Sequence, residues 1–226
     1  VVLWETLARD SHWRSEILPL VALRGEDVTF ELVANASGDD EYDWLQTTVR
    51  LFPELDVWSL ADNLSSVEVS GGNEALSWSG VDSWIDGDGR SLVNASQAPV
   101  EDTVRYGQVQ CHPAGDAEDT VVTFAVRDNT YTHLGTNWAL ADEAAVRSNG
   151  VRYTVQVSGD GGRSYDTLVQ KDVSDNRWHD ETVDLVGYLG RDLSIRLICG
   201  SQGDLEYDWL QLTLHLAAGS GLANGD

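Results

Sequence analysis

Apolar and polar positions alternate with a period of two over much of the chain. VRYTVQVSGDGGRSYDTLVQ, Val151–Gln170, alternates, breaks at Gly159-Asp160-Gly161-Gly162 and alternates again, which predicts two strands joined by a tight turn. DTVVTFAV (Asp119–Val126) and DLSIRLIC (Asp192–Cys199) predict further strands. Near the C-terminus Leu210, Leu212, Leu214 and Leu216 fall on one face, with Trp209, Gln211, Thr213 and His215 on the other, because successive side chains of a strand point to opposite sides. The leucine face predicts core, and the other is a polar face carrying a tryptophan. The one helix the pattern predicts is short, over Ala139–Ser148 (ALADEAAVRS). An all-β sandwich follows.

Part of this pattern occurs twice. Ser11–Leu51 overlies Asn176–Leu216 at a constant offset of 165 without gaps, and 17 of 41 positions are identical. Matches include Trp13/Trp178, Gly25/Gly190, Asp27/Asp192 and the whole run EYDWLQ, at Glu41–Gln46 and again at Glu206–Gln211. Agreement of that extent marks a duplicated module. A full set of strands precedes the second copy, whereas the first starts at Val1 with what aligns to the second strand of the hairpin. The reading is a partial module over 1–52, a connecting segment over 53–98 that completes or bridges modules, a complete module over 99–216 and a flexible tail over 217–226. Half a sandwich leaves open edges and a half-covered core. Upstream residues, the connecting segment or another copy of the chain must complete it.

Charge narrows the partners. Acidic residues outnumber basic ones 38 to 14, the formal net charge is −24, and Lys171 is the only lysine. Such a field repels phosphate backbones and anionic lipid, so nucleic acid and membrane surfaces are disfavoured. It suits high salt, which screens the repulsion, or divalent cations. An extracellular or cell-surface location is expected, including that of a halophilic organism. No apolar run approaches the ~18–20 residues of a membrane-spanning helix, and no signal-peptide pattern is present. The first residue is Val1 rather than Met, which fits a processed or truncated product. Cys111 and Cys199 are too few for a disulfide framework, but both fall in strand-like runs and one bridge between them is a candidate. Asn35, Asn63 and Asn94 begin N-x-S triplets and are candidate glycosylation sites.

The order CHP (Cys111–Pro113), a strand, GVRYTVQVSGDGG, RWHDETVDLVGYLGRDLSIRL and YDWLQLTL resembles the galactose-binding-like jelly-roll modules of the carbohydrate-binding-module type. These typically show W-x5-D-L-x2-Y-x-G before one strand and an Asp-Trp near the start of the last. Here those positions are Trp178, Asp184, Leu185, Tyr188, Gly190, Asp208 and Trp209. The first copy departs from the pattern, with Pro19 and Leu23 at the places of Asp184 and Tyr188. The resemblance implies a jelly-roll β-sandwich that binds glycans or packs beside another domain, commonly with one structural calcium.

Catalytic signatures are missing. EYDWLQ is similar to the Glu-x-Asp-x-x-Glu strand of jelly-roll β-glucanases, whose two carboxylates lie about 5–5.5 Å apart for retention. Its last position is Gln46 or Gln211, an amide that can neither give nor take the proton. The five histidines (His12, His112, His133, His179, His215) lack zinc spacing, and no nucleophile elbow or phosphate loop occurs. The chain is not expected to be an enzyme. For calcium, which takes several carboxylate and carbonyl oxygens from loops, the candidates are Asp204, Glu206 and Asp208, the equivalent Asp39, Asp40, Glu41 and Asp43, and Asp86 and Asp88 of IDGDG. For glycans, which need flat aromatic faces and planar polar groups, they are Trp209 with Gln211 and His215, Trp44 in the first copy, and Trp138 with Asn137 in a predicted loop.

Two functions remain open at this point. One is a non-catalytic extracellular module that binds a polysaccharide or surface glycan. The other is a structural subunit of a cell-surface filament, layer or spike, assembled when a neighbouring copy completes the N-terminal half-module by strand addition.

Overall fold

The computed structural model describes residues 57–218 apart from 97, 103, 106, 204 and 205. The first repeat copy, with Asn35, Asp39, Asp40, Glu41, Asp43 and Trp44, lies outside the described residues. In chain order the strands are β1 (Val57–Ser59), β2 (Glu68–Gly71), β3 (Glu74–Ala75), β4 (Ser77–Trp78), β5 (Ser83–Ile85), β6 (Ser91–Ala95), β7 (Val109–Cys111), β8 (Thr120–Val126), β9 (His133–Leu140), β10 (Val151–Ser158), β11 (Asp166–Val173), β12 (His179–Asp184), β13 (Leu193–Ser201) and β14 (Leu210–Ala217). All their pairings are antiparallel.

From β7 to β14 the chain builds two four-stranded layers, hydrogen-bonded in the orders β12-β9-β14-β7 and β11-β10-β13-β8. Only the β10–β11 hairpin stays within one layer; every other step crosses to the opposite one. That interleaving of two layers is the eight-stranded jelly roll. The strands between Val57 and Ala95 extend both layers. β6, β5 and β4 continue the first sheet past β7, β2 and β3 continue the second past β8, and β1 pairs with β14.

The alternation places the core as it should. Leu210, Leu212, Leu214 and Leu216 are buried together with Val122, Val155, Ile195 and Leu197 in one cluster. Trp58, opposite Leu216, adds an aromatic stack on Phe124 at 4.3 Å.

Three expectations are corrected. The helix over Ala139–Ser148 shrinks to α1, Asp142–Ala145. Ala139 and Leu140 finish β9, where they pair with Gln211 and Leu210 of β14. A ladder on both sides of β9 supplies more backbone hydrogen bonds than one extra helical turn could, which overrides the good helix propensity of Ala and Leu.

The polar face of β14 is not a solvent face: Gln211 and Thr213 are buried. Described residues between Ser96 and Gln108 lie against it. Val100 packs with Ala139 and Trp178, and the Arg105 guanidinium sits 4.4 Å above the Trp178 ring. The Gln108 amide donates to Ala98 O (2.6 Å) and to Gln211 Oε1 (2.8 Å), while Gln211 donates to Gln110 Oε1 (3.1 Å). Asp142 anchors the far end, accepting from the backbone N–H groups of Glu101 (2.8 Å) and Asp102 (2.9 Å).

The candidate Cys111–Cys199 bridge is not formed. Both are buried free thiols, and the Cys199 thiol donates to Cys111 O at 3.4 Å. Burial pushes its pKa well above the usual thiol value.

Candidate functional site

The predicted glycan ligands scatter over the fold. Trp138 lies within β9, not in a loop, and is only 5% exposed. It packs on Tyr153 at 5.5 Å in the core. Asn137, on the opposite face, is buried and accepts the Thr213 hydroxyl at 2.7 Å. Trp209 is half-buried against Tyr207, and Gln211 is locked in the amide chain with Gln108 and Gln110. His215 faces the backbone of Gly135 so closely that an added Cβ there would lie 2.2 Å from its Nε2. Among the described residues of this set, Trp138, Asn137 and Gln211 are buried.

EYDWLQ turns out to be a structural corner. Tyr207 takes a left-handed backbone (φ 62°) and lies under the Arg147 guanidinium, which also donates to its hydroxyl. Asp208 is fully buried and accepts the Ser148 hydroxyl at 2.5 Å. Together they fasten the chain after α1 to the start of β14.

The described residues do not fit a calcium ion. Asp86 already accepts the backbone N–H groups of Asp88 and Arg90 and pairs with Arg90 Nε at 2.6 Å. Its carboxyl is held below the usual range by those contacts with Arg90 and Asp88, although burial alone would raise it. Asp88 and Glu206 are exposed, Asp208 is committed to Ser148, and Asp204 lies outside the described residues. Among the described residues no three His, Cys, Asp or Glu side chains gather closely enough to hold a metal. Of the sequons, Asn63 donates to Ser59 O (2.8 Å), and Asn94 lies in β6 before a buried Ser96.

A cleft that the pattern did not suggest opens on the outer face of the second sheet. The alternation that sends Val69, Val122, Ile195 and Leu197 into the core turns Glu68 and Ser70 of β2, Thr123 of β8, and Ser194 and Arg196 of β13 outward. Cross-strand pairing aligns Glu68, Thr123, Arg196 and Gln156 in a row. The β10–β11 turn folds over one end of that row. Ser158 Oγ accepts the Gly162 N–H (2.9 Å) and donates to Asp160 (2.7 Å). Asp160 in turn accepts from the N–H groups of Arg163 and Ser164 and from the Ser164 hydroxyl. The Ser164 and Ser158 hydrogen bonds hold its carboxyl far below the ordinary aspartate range.

The rigid turn delivers Tyr165 onto β13. Its ring lies 3.9 Å from the Arg196 guanidinium carbon, and its hydroxyl meets Ser194 Oγ at 2.9 Å. Gly162 needs its missing side chain here, because its φ is +84° and a Cβ would stand 3.1 Å from the Tyr165 oxygen. Between this arm and β2 lies a space of about 470 Å³ bordered by Glu68, Ser70, Thr123, Tyr165, Ser194 and Arg196. A larger hollow of about 590 Å³ beside β3 is lined by Glu74, Asp86, Asp88 and Glu118 and has no aromatic side chain. The signal for the first cleft was the outward row on DLSIRLIC and the tyrosine after the turn. It is hard to see in sequence because the row spans four strands.

No family model matches the sequence, and no curated protein matches it. Among solved structures the chain is similar to the CBM51 module of Clostridium perfringens GH95 in complex with methyl-galactose. That match has 14% identity and TM-score 0.45, and covers 71% of this chain and 99% of the other. It is also similar to TmCBM61 in complex with β-1,4-galactotriose, with 16% identity, TM-score 0.43 and 70% and 92% coverage. A third likeness is to the K3 cleaved adhesin domain of Lys-gingipain from Porphyromonas gingivalis w83, with 11% identity, TM-score 0.40 and 62% and 87% coverage. The fold is a jelly-roll β-sandwich. At this distance none of the three says what the chain binds.

Proposed function

We propose that this chain is a non-catalytic glycan-binding module of an extracellular or cell-surface protein, and that the Tyr165 cleft is where the sugar lies. One observation carries the reading: a half-buried tyrosine, fixed by a hydrogen-bonded turn, overhangs a sheet face whose polar side chains at the cleft are hydroxyls, one carboxylate and one guanidinium. An aromatic ring takes sugar C–H groups, and polar groups already held in place take hydroxyls with little ordering cost. In the EYDWLQ corner Asp208 and Gln211 are buried, and they are engaged by Ser148 and by Gln108 and Gln110.

The test is titration calorimetry against a panel of plant, bacterial and host oligosaccharides, with Tyr165→Ala as the probe. We expect saturable binding to at least one class of oligosaccharide and a loss of roughly tenfold or more in the variant, with its melting transition retained. Binding unchanged by Tyr165→Ala would sink this site. No binding to any oligosaccharide would sink the function.

A further inference from the structure

Resting on that reading, we infer that the sugar taken by the cleft is acidic, with its carboxylate seated on Arg196. Arg196 stands out by its burial: Arg147, Arg163, Arg177 and Arg191 are exposed to water, whereas Arg196 is half-buried. Acids outnumber bases 38 to 14, and Arg90, Arg127 and Arg152 each hold a carboxylate, those of Asp86, Asp192 and Asp172. Arg196 is more buried than any of these three and has none. Its cross-strand neighbours are Thr123 and Gln156, both uncharged, and its Nε is buried with no hydrogen-bond partner. Glu68 is the nearest acid in the row, but it sits beyond Thr123 on β2, two strand spacings or about 10 Å away. The acid-rich chain thus leaves its most sheltered cleft guanidinium without a counter-ion.

The stacking explains how Arg196 is held without being used up. Tyr165 covers one face of the guanidinium at 3.9 Å. All five N–H donors of an arginine lie in the guanidinium plane, so a ring on its face blocks none of them, and the two terminal Nη groups can make a two-pronged carboxylate contact. Charge-assisted bonds of that kind are about twice as strong as neutral ones. Glu68 at the other end of the cleft accepts hydroxyl protons and repels a second carboxylate. The geometry therefore selects a uronic- or sialic-acid residue set among neutral sugars rather than a uniformly charged polyanion. The −24 field of the whole chain opposes polyanions as well.

The experiment compares oligosaccharides that carry a single uronate (galacturonate, glucuronate or mannuronate) among neutral sugars, and a sialyl-oligosaccharide, with their methyl esters. The esters keep the ring and lose the charge. Binding is measured in about 0.5 M NaCl, where the general repulsion is screened. For wild type we expect at least one acid to bind roughly tenfold or more tighter than its ester. Arg196→Ala should abolish that preference, and Arg196→Lys, which keeps the charge but not the planar fork, should retain only part of it. If acid and ester bind equally and Arg196→Ala leaves their ratio unchanged, the acidic-sugar inference fails while the glycan site stands. If only neutral sugars bind, the inference also fails. If nothing binds, the glycan reading itself falls and this inference with it.

Discussion

His215 shows what burial does to one side chain. It lies on β14 between Gly135 of β9 and Ser59 of β1, in a space that exists because Gly135 has no Cβ. Loss of water there lowers its pKa from the ordinary 6.5 to about 4. Between those two values the unfolded chain binds a proton that the folded chain refuses, so stability falls as the pH drops through that window. A shift of that size corresponds to about 3 kcal/mol at the acid end. Urea midpoints for wild type and His215→Gln, taken between pH 7 and 4.5, should therefore diverge as pH falls, with wild type losing more. Parallel curves would show that the ring is solvated. Gln211 teaches the complementary lesson. Its amide satisfies Gln108 and Gln110 at once, a role that a glutamate could not fill without burying a charge. The position that looked like a decapitated catalytic motif is a hydrogen-bond node.

At the level of elements, the β10–β11 turn acts as the arm of the candidate site. Asp160 is exposed and its contacts are local, so its removal should loosen the arm without unfolding the sandwich. Asp160→Ala is expected to leave the melting midpoint nearly unchanged yet to weaken glycan binding several-fold, through the ordering of Tyr165. An equal loss in both, or no loss of binding, would contradict the arm's role. That hairpin was legible in the sequence because alternation and glycines coincide in Val151–Gln170. β9 was not. Its inner face carries Leu134, Trp138 and Leu140 but also Thr136, whose hydroxyl is satisfied by Tyr153 and Thr213 O. Its outer face carries Ala139, covered by Val100 and Trp178. A polar residue inside and an apolar one outside erase the period of two, so Trp138 read as a loop residue and Ala139 as helical. The covering residues between Ser96 and Gln108 were equally hidden, because laying a chain over a sheet face is a tertiary event that no local period encodes.

For the whole molecule the decisive quantity is charge. Composition announced it. Two of the ion pairs among the described residues, Arg127–Asp192 and Arg152–Asp172, are solvent-exposed, where a pair contributes little. A net charge of −24 on 226 residues therefore acts mainly as self-repulsion, which destabilises the compact state. Repulsion between surface charges reaches about 10 Å at 0.1 M salt but only about 3 Å at 1 M. Stability should accordingly rise with ionic strength. Between low salt and 1 M NaCl we expect the melting midpoint to climb by about 5 °C or more, most of it before the screening length falls below typical charge spacings. Choline chloride should reproduce the gain if screening alone is responsible, since it shares the ionic strength of NaCl without a small cation. A gain seen with calcium at millimolar concentration, far below what screening needs, would instead indicate a specific ion site outside the described residues. A midpoint that stays flat or falls with salt would mean that the acidic residues are spaced too widely to repel, and that the charge serves solubility rather than working against the fold.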